Sequence, residues 1–233
     1  MSSDVSLYSV EKGSGAPLIL LHGNGENGAY FARQIEYFSR FFRVIAVDTR
    51  GHGRSPRGEA PFTIRQFAED LRAFMDEKAV EKADLLGFSD GGNIALVFAL
   101  RYPERVNRLI LNGANLSGGG VKARYQLPIV LGWRIASLFA GRSEKARRNA
   151  EMLGLMVNDP EIDPEALCAV KNKTLVIAGT RDMIRERHTR LIAEKIPGAQ
   201  LALLPGSHFV AAENPEAFNR AVDAFLKKLP EQG

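Results

Sequence analysis

The sequence predicts an α/β protein, a mostly parallel sheet with helices on both faces and a small helical insertion. Three observations carry this expectation. Short runs of Val, Ile, Leu and Ala recur along the chain at 17–21, 43–47, 83–87, 108–111, 174–178 and 201–204. Nearly continuous apolar runs suit strands covered on both sides. Between them lie segments with helical periodicity, so strand and helix alternate. The alternation then breaks once, between about Asn112 and Lys171.

The elements follow in order. A more alternating segment, 5–10, predicts one edge strand that turns through Gly13, Ser14 and Gly15 into the 17–21 strand. Ile64, Phe67, Ala68, Leu71, Phe74 and Met75 share one face at 3.6 spacing, and Thr63 with Gln66 suggests a capping box. After the 83–87 strand comes an apolar helix beginning near Asn93. The insertion, 117–170, starts with Ser117-Gly118-Gly119-Gly120, an expected hinge because glycine tolerates the angles a moving segment visits. The apolar stretch 127–139 most simply roofs a pocket, with a membrane-surface helix as the other reading. The last helix has Asn214 as N-cap and Pro215 at its first position.

Composition sets limits. The 233 residues are 45% apolar and 25% charged, with a net charge of +4. One domain, 1–233, carrying the insertion fits this length better than two. The single cysteine, Cys168, excludes an internal disulfide and is expected as a small core residue. No secretory signal is visible at the start, no apolar stretch is long enough to span a bilayer, and the charge is too weak to argue for nucleic acid. Cytoplasmic location and no membrane association are the expectations. Oligomeric state is open.

Two glycine motifs compete. Gly23-Asn24-Gly25-Glu26-Asn27-Gly28 matches G-x-G-x-x-G after a strand, with Asp48 about 20 residues on, as a dinucleotide-binding fingerprint requires. Gly87-Phe88-Ser89-Asp90-Gly91 matches G-x-S-x-G between a strand and a helix, the context of a nucleophile elbow. A serine hydroxyl needs a base, and the base needs an acid to fix its tautomer. Asp182 follows the 174–178 strand and His208 follows the 201–204 strand. Parallel strands end on one edge, so Ser89, Asp182 and His208 should converge there. That outweighs the dinucleotide reading.

Along nearly its whole length the chain resembles the α/β-hydrolase-fold family. The carrying segments are Leu21-His22-Gly23-Asn24-Gly25, Asp48-Thr49-Arg50-Gly51-His52-Gly53-Arg54-Ser55, Gly87 to Gly92, Gly179 to Asp182 and Gly206 to Phe209. The resemblance implies a serine hydrolase of a small-molecule carboxylic ester or related acyl bond, needing no cofactor or metal. It implies oxyanion-hole N–H groups at Asn24 and Asp90. C–C bond hydrolysis, lactone opening and perhydrolysis would use the same triad, and a non-catalytic small-molecule receptor could retain it. The family commonly has two strands before the segment equivalent to 17–21, and only one is evident here.

Other polar residues invite simpler readings. His22 and His52 are expected to satisfy loop carbonyls, and His188 to be solvated. Asp48 should anchor the loop 49–55. Asp159 and Asp163, each before proline, read as helix caps. The elbow of Ser89-Asp90-Gly91-Gly92 is similar to that of the biphenyl hydrolase-like branch, which includes hydrolases of amino-acid esters. The Asp90 carboxylate would favour a cationic substrate group by about 1–4 kcal/mol at ~4 Å, depending on effective dielectric. The alternative is that Asp90 caps its helix.

Overall fold

The computed structural model describes residues 3–227. Seven strands form one sheet: β1 (Ser9–Lys12), β2 (Pro17–Leu21), β3 (Arg43–Val47), β4 (Ala83–Phe88), β5 (Val106–Asn112), β6 (Lys173–Gly179) and β7 (Gln200–Leu204). Their order is β1-β3-β2-β4-β5-β6-β7. Only β1 runs antiparallel, against β3. The sheet thus has one strand before β2, and that strand sits later in the chain than the 5–10 expected.

Alternation along each strand feeds two cores. Ile19, Leu21, Ile45, Val47, Leu85, Leu109, Leu111 and Val176 face one side. There they meet α2 (Ile64–Glu77), α3 (Asp90–Arg101) and α6 (Glu186–Lys195). Leu18, Leu20, Val44, Ala46, Leu86, Phe88, Ile110 and Ile177 face the other. That side is covered by α1 (Ala32–Phe38), the short α7 (Val210–Glu213) and α8 (Pro215–Lys227). Thr63 caps α2 by accepting from Gln66 N–H, whereas the Gln66 side chain reaches Asp70, so only half of the capping box forms.

The register aligns the carboxyl ends. Leu21 pairs with Gly87, Phe88 with Asn112, Asn112 with Ile177, and Gly179 with Leu204. Loops leaving β2, β4, β6 and β7 therefore emerge side by side.

Between β5 and β6 lie α4 (Ala123–Phe139) and α5 (Glu144–Asn158), packed together. Three expectations about this part of the chain need correction. Gly118–Gly120 is a 3-10 turn, not a free hinge, because Gly120 C=O accepts from Arg185 N–H at 2.8 Å and Val121 bridges Ile184. Leu127, Leu131, Ile135, Leu138 and Phe139 of α4 are exposed rather than roofing a pocket, and the inward side of the helix, with Trp133, packs on α5. Cys168 is exposed, because in its 3-10 turn, Pro164–Ala169, Leu167 takes the inward position.

Candidate active site

The turn after β4 sets the site. Ser89 has φ 53° and ψ −119°, a backbone region that non-glycine residues rarely adopt. Two hydrogen bonds hold it there: Ser89 N–H donates to Asn112 C=O at 2.8 Å, and Ser89 C=O accepts from Asn93 N–H at 3.0 Å. The turn is too tight for neighbouring side chains. A Cβ at Gly91 would lie 2.0 Å from the Leu21 carbonyl oxygen, and one at Gly87 would lie 2.2 Å from that of Gly91.

The structure brings Ser89, His208 and Asp182 together. His208 Nδ1–H donates to Asp182 Oδ1 at 2.7 Å, and His208 Nε2 lies 3.0 Å from Ser89 Oγ. With the proton on Nδ1, Nε2 is the acceptor for the serine hydroxyl. Asp182 is buried, and its Oδ1 also accepts from Ile184 N–H at 2.9 Å. The His208 ring packs against Phe88, with centroids 4.9 Å apart.

Beside Ser89 lies the turn after β2. The N–H groups of Asn24 and Asp90 have no protein acceptor among the described residues. His22 braces this turn: its Nδ1–H donates to Gly23 C=O at 2.7 Å, and its Nε2 accepts from Thr49 N–H at 3.0 Å. Burial pushes its pKa down to about 4, which keeps it neutral. His52 is buried and held down in the same way, with Nδ1–H donating to Arg50 C=O at 2.9 Å. Asp48 anchors its loop by accepting from Gly28 N–H and Arg54 N–H at 2.7 and 2.8 Å.

Asp90 does not cap its helix. Its Oδ1 lies 3.4 Å from Asn93 Nδ2, its Oδ2 has no hydrogen-bond partner among the described residues, and the residue is buried. Burial first, then the neighbouring Asp159 carboxylate, push its pKa up to about 7. Asp159 ends α5 rather than starting a helix, and burial raises its pKa too. Asp163 does cap the turn that follows it, accepting from Glu165 N–H at 2.9 Å. His188 is not simply solvated, because its Nε2 accepts from Leu116 N–H at 2.9 Å and its ring packs on Gly120.

Several residues at the site escaped the sequence reading. Gly113, at φ +63°, passes so close that a Cβ would lie 2.8 Å from His208 Cε1. Lys122 Nζ donates to the Asp182 carbonyl oxygen. Glu26 Oε2 accepts from Gly23 N–H at 3.3 Å, and burial raises its pKa. From α5, Met152 C=O accepts from Asn24 Nδ2 at 2.6 Å, while Glu151 receives two bonds from Arg57 at 3.0 and 2.7 Å. None of these pairs has a local sequence signal.

Residues 16–135 match the α/β hydrolase fold family, which is more than half of the chain. This chain belongs to that family. Relatives along its length include the 3-oxoadipate enol-lactonase 2 of Acinetobacter baylyi. That enzyme is 29% identical over 91% of this chain and 89% of its own. The 2-hydroxymuconate semialdehyde hydrolase of Pseudomonas putida is also 29% identical, over 93% of this chain and 89% of its own. Among solved structures, a hydrolase from Pseudomonas aeruginosa PA01 superposes with a TM-score of 0.76 at 28% identity. The match covers 97% of this chain and 100% of that one.

Proposed function

We propose that this family member is a serine hydrolase that cleaves a carboxylic ester or related acyl bond of a small molecule. The observation that carries the reading is the continuous relay from Asp182 through His208 to Ser89 Oγ, at 2.7 and 3.0 Å. His208 Nε2 takes the serine proton as Ser89 Oγ bonds to the carbonyl carbon, and Asp182 stabilises the imidazolium. The free N–H groups of Asn24 and Asp90 receive the oxyanion, each donor being worth about 3–4 kcal/mol of barrier. Collapse breaks the bond to the leaving alcohol, which takes the proton from His208. Water, deprotonated by His208, then attacks the acyl-enzyme; the acid leaves and the serine proton returns.

Lactone opening is the same acyl chemistry with the leaving alcohol kept on the product. The enol-lactonase among the relatives makes it the natural second substrate class.

The Asp90 carboxyl gives the reading a substrate bias. It follows Ser89 directly in sequence, is buried, and has an oxygen with no hydrogen-bond partner among the described residues. We assign it a preference for acyl groups carrying a cation, which would draw off its proton and pair with the carboxylate. The α5 segment resting on Asn24 acts as a cover that substrate must displace.

A fluorophosphonate probe tests the core of the proposal. It should label the wild type at Ser89 and leave Ser89→Ala untouched, with ester turnover lowered by about 10³-fold or more. Labelling that persists in Ser89→Ala, with the variant folded by circular dichroism, would assign the nucleophile elsewhere.

A further inference from the structure

The outer face of α4 is apolar and uncovered. Leu127, Leu131, Ile135 and Leu138 are 68%, 60%, 50% and 77% exposed. Steps of four, four and three place them on a single stripe. Phe139 and Tyr125 flank it, both exposed. The other side of the helix, with Ile129, Val130 and Trp133 half-buried, faces inward. A helix apolar on both sides wants cover on both.

Charge decides what the cover is. No acidic residue lies in α4, and at 100° per residue Arg124 falls within the stripe and Arg134 along its edge. Arg142 and Lys145 stand at the turn into α5, exposed. In 121–150 the acid is Glu144, and Arg148 and Arg147 engage it. Arg124, Arg134, Arg142 and Lys145 thus have no acidic partner among the described residues. A second copy docking through the same face would set arginine against arginine, whereas an anionic plane neutralises all four. Arginine also has the long stem that lets its head reach phosphate while leucines beside it enter acyl chains.

We propose that α4 is an interfacial helix that lies in the surface of an anionic phospholipid bilayer. The helix is about 25 Å long, and its apolar stripe from Leu127 to Leu138 covers about 17 Å of that, parallel to the membrane plane. It does not span: no helix among the described residues is long and apolar enough to cross a membrane. The α5 cover of the proposed active site packs on α4 and would then lie one helix layer from the lipid.

Co-sedimentation with vesicles tests this without reference to catalysis. The full chain should bind vesicles with roughly 30% phosphatidylglycerol in phosphatidylcholine at least about fivefold more tightly than pure phosphatidylcholine. Leu131→Ser with Leu138→Ser should weaken binding about fivefold or more, and so should Arg134→Glu with Arg142→Glu. Thermal melts by circular dichroism verify that the variants fold. Absence of wild-type binding, or equal binding to both vesicle types, would overturn the proposal. So would a dimer, seen by light scattering, that dissociates in the leucine variant while vesicle binding is unaffected. That result would make a second copy the occupant.

Discussion

A carboxyl next to the proposed nucleophile is costly to bury, and burial pushes the Asp90 pKa up to about 7. Between about pH 4 and 7 the folded protein keeps a proton there that the unfolded chain has released. Stability from this group is full below about pH 4 and declines as pH rises through 7. Urea unfolding should therefore show the wild type losing about 2–3 kcal/mol relative to Asp90→Asn between pH 5 and 7.5. If the two proteins track each other, the carboxyl is not held protonated. The same titration would govern the proposed preference for a cationic acyl group. A permanently charged trimethylammonioacetyl ester should exceed its uncharged tert-butylacetyl isostere in kcat/KM by about 5–30-fold above pH 7. The advantage should shrink toward pH 5 and vanish in Asp90→Asn. An equal rate for both esters above pH 7 would remove the charge preference and leave the triad proposal intact. Asp182→Asn tests the neighbouring carboxylate. It keeps the shape but reverses the hydrogen-bond polarity toward His208 Nδ1, so kcat should fall about 10³–10⁴-fold with little change in melting temperature. A smaller loss would mean another group orients the imidazole.

At the scale of elements, strands and their apolar runs correspond closely because parallel strands buried on both faces must be apolar throughout. The bounds of β2 and β3 coincide with the runs that predict them, and β4 to β7 extend theirs by one to three residues. The chain order Ser89, Asp182, His208 was readable for a related reason, since parallel strands deliver their following loops to one edge. Orientation across layers was not readable. Nothing local says which face of α4 meets α5, because the helix is apolar on both. Likewise nothing marks Gly113, whose role depends on a ring that arrives 95 residues later. Gly113→Ala places a Cβ against His208 and forces an L residue to φ +63°. We expect a cost of about 1–2 kcal/mol in stability. The larger effect should be on kcat, about 10–100-fold, as the imidazole shifts off the Ser89–Asp182 line. Unchanged kcat in the folded variant would show that His208 is positioned by Asp182 and Phe88 alone.

Across the whole molecule, one buried cation ties parts that the sheet does not connect. Arg50 is fully buried. It donates to both Asp70 oxygens on α2 at 2.7 Å, to Asp4 near the N-terminus at 2.5 Å, and to the Arg57 carbonyl oxygen at 2.9 Å. Arg57 in turn grips Glu151 on α5, and α5 rests on Asn24 through Met152. The chain of contacts runs from the N-terminal segment to the cover of the proposed site. A buried ion pair is weak evidence for stability in itself, because desolvation offsets much of the attraction. Removing one partner is different, since Asp70, only 1% exposed, would lose both guanidinium bonds and keep only those from Ser3 and Gln66. Arg50→Met should therefore cost about 3–5 kcal/mol, lowering the melting temperature by at least ~6 °C in a chain of this size. Arg50→Met with Asp70→Leu removes both charges and should recover much of that loss, although Asp4 still loses its partner. The loosened loop should also free α5, so the single variant should be cleaved faster by protease within 144–158 at temperatures well below melting. Restored stability with undiminished cleavage in the double variant would assign the hold on α5 to the guanidinium's bond with the Arg57 carbonyl. Rescue of both would assign it to the relief of a buried, unpaired Asp70.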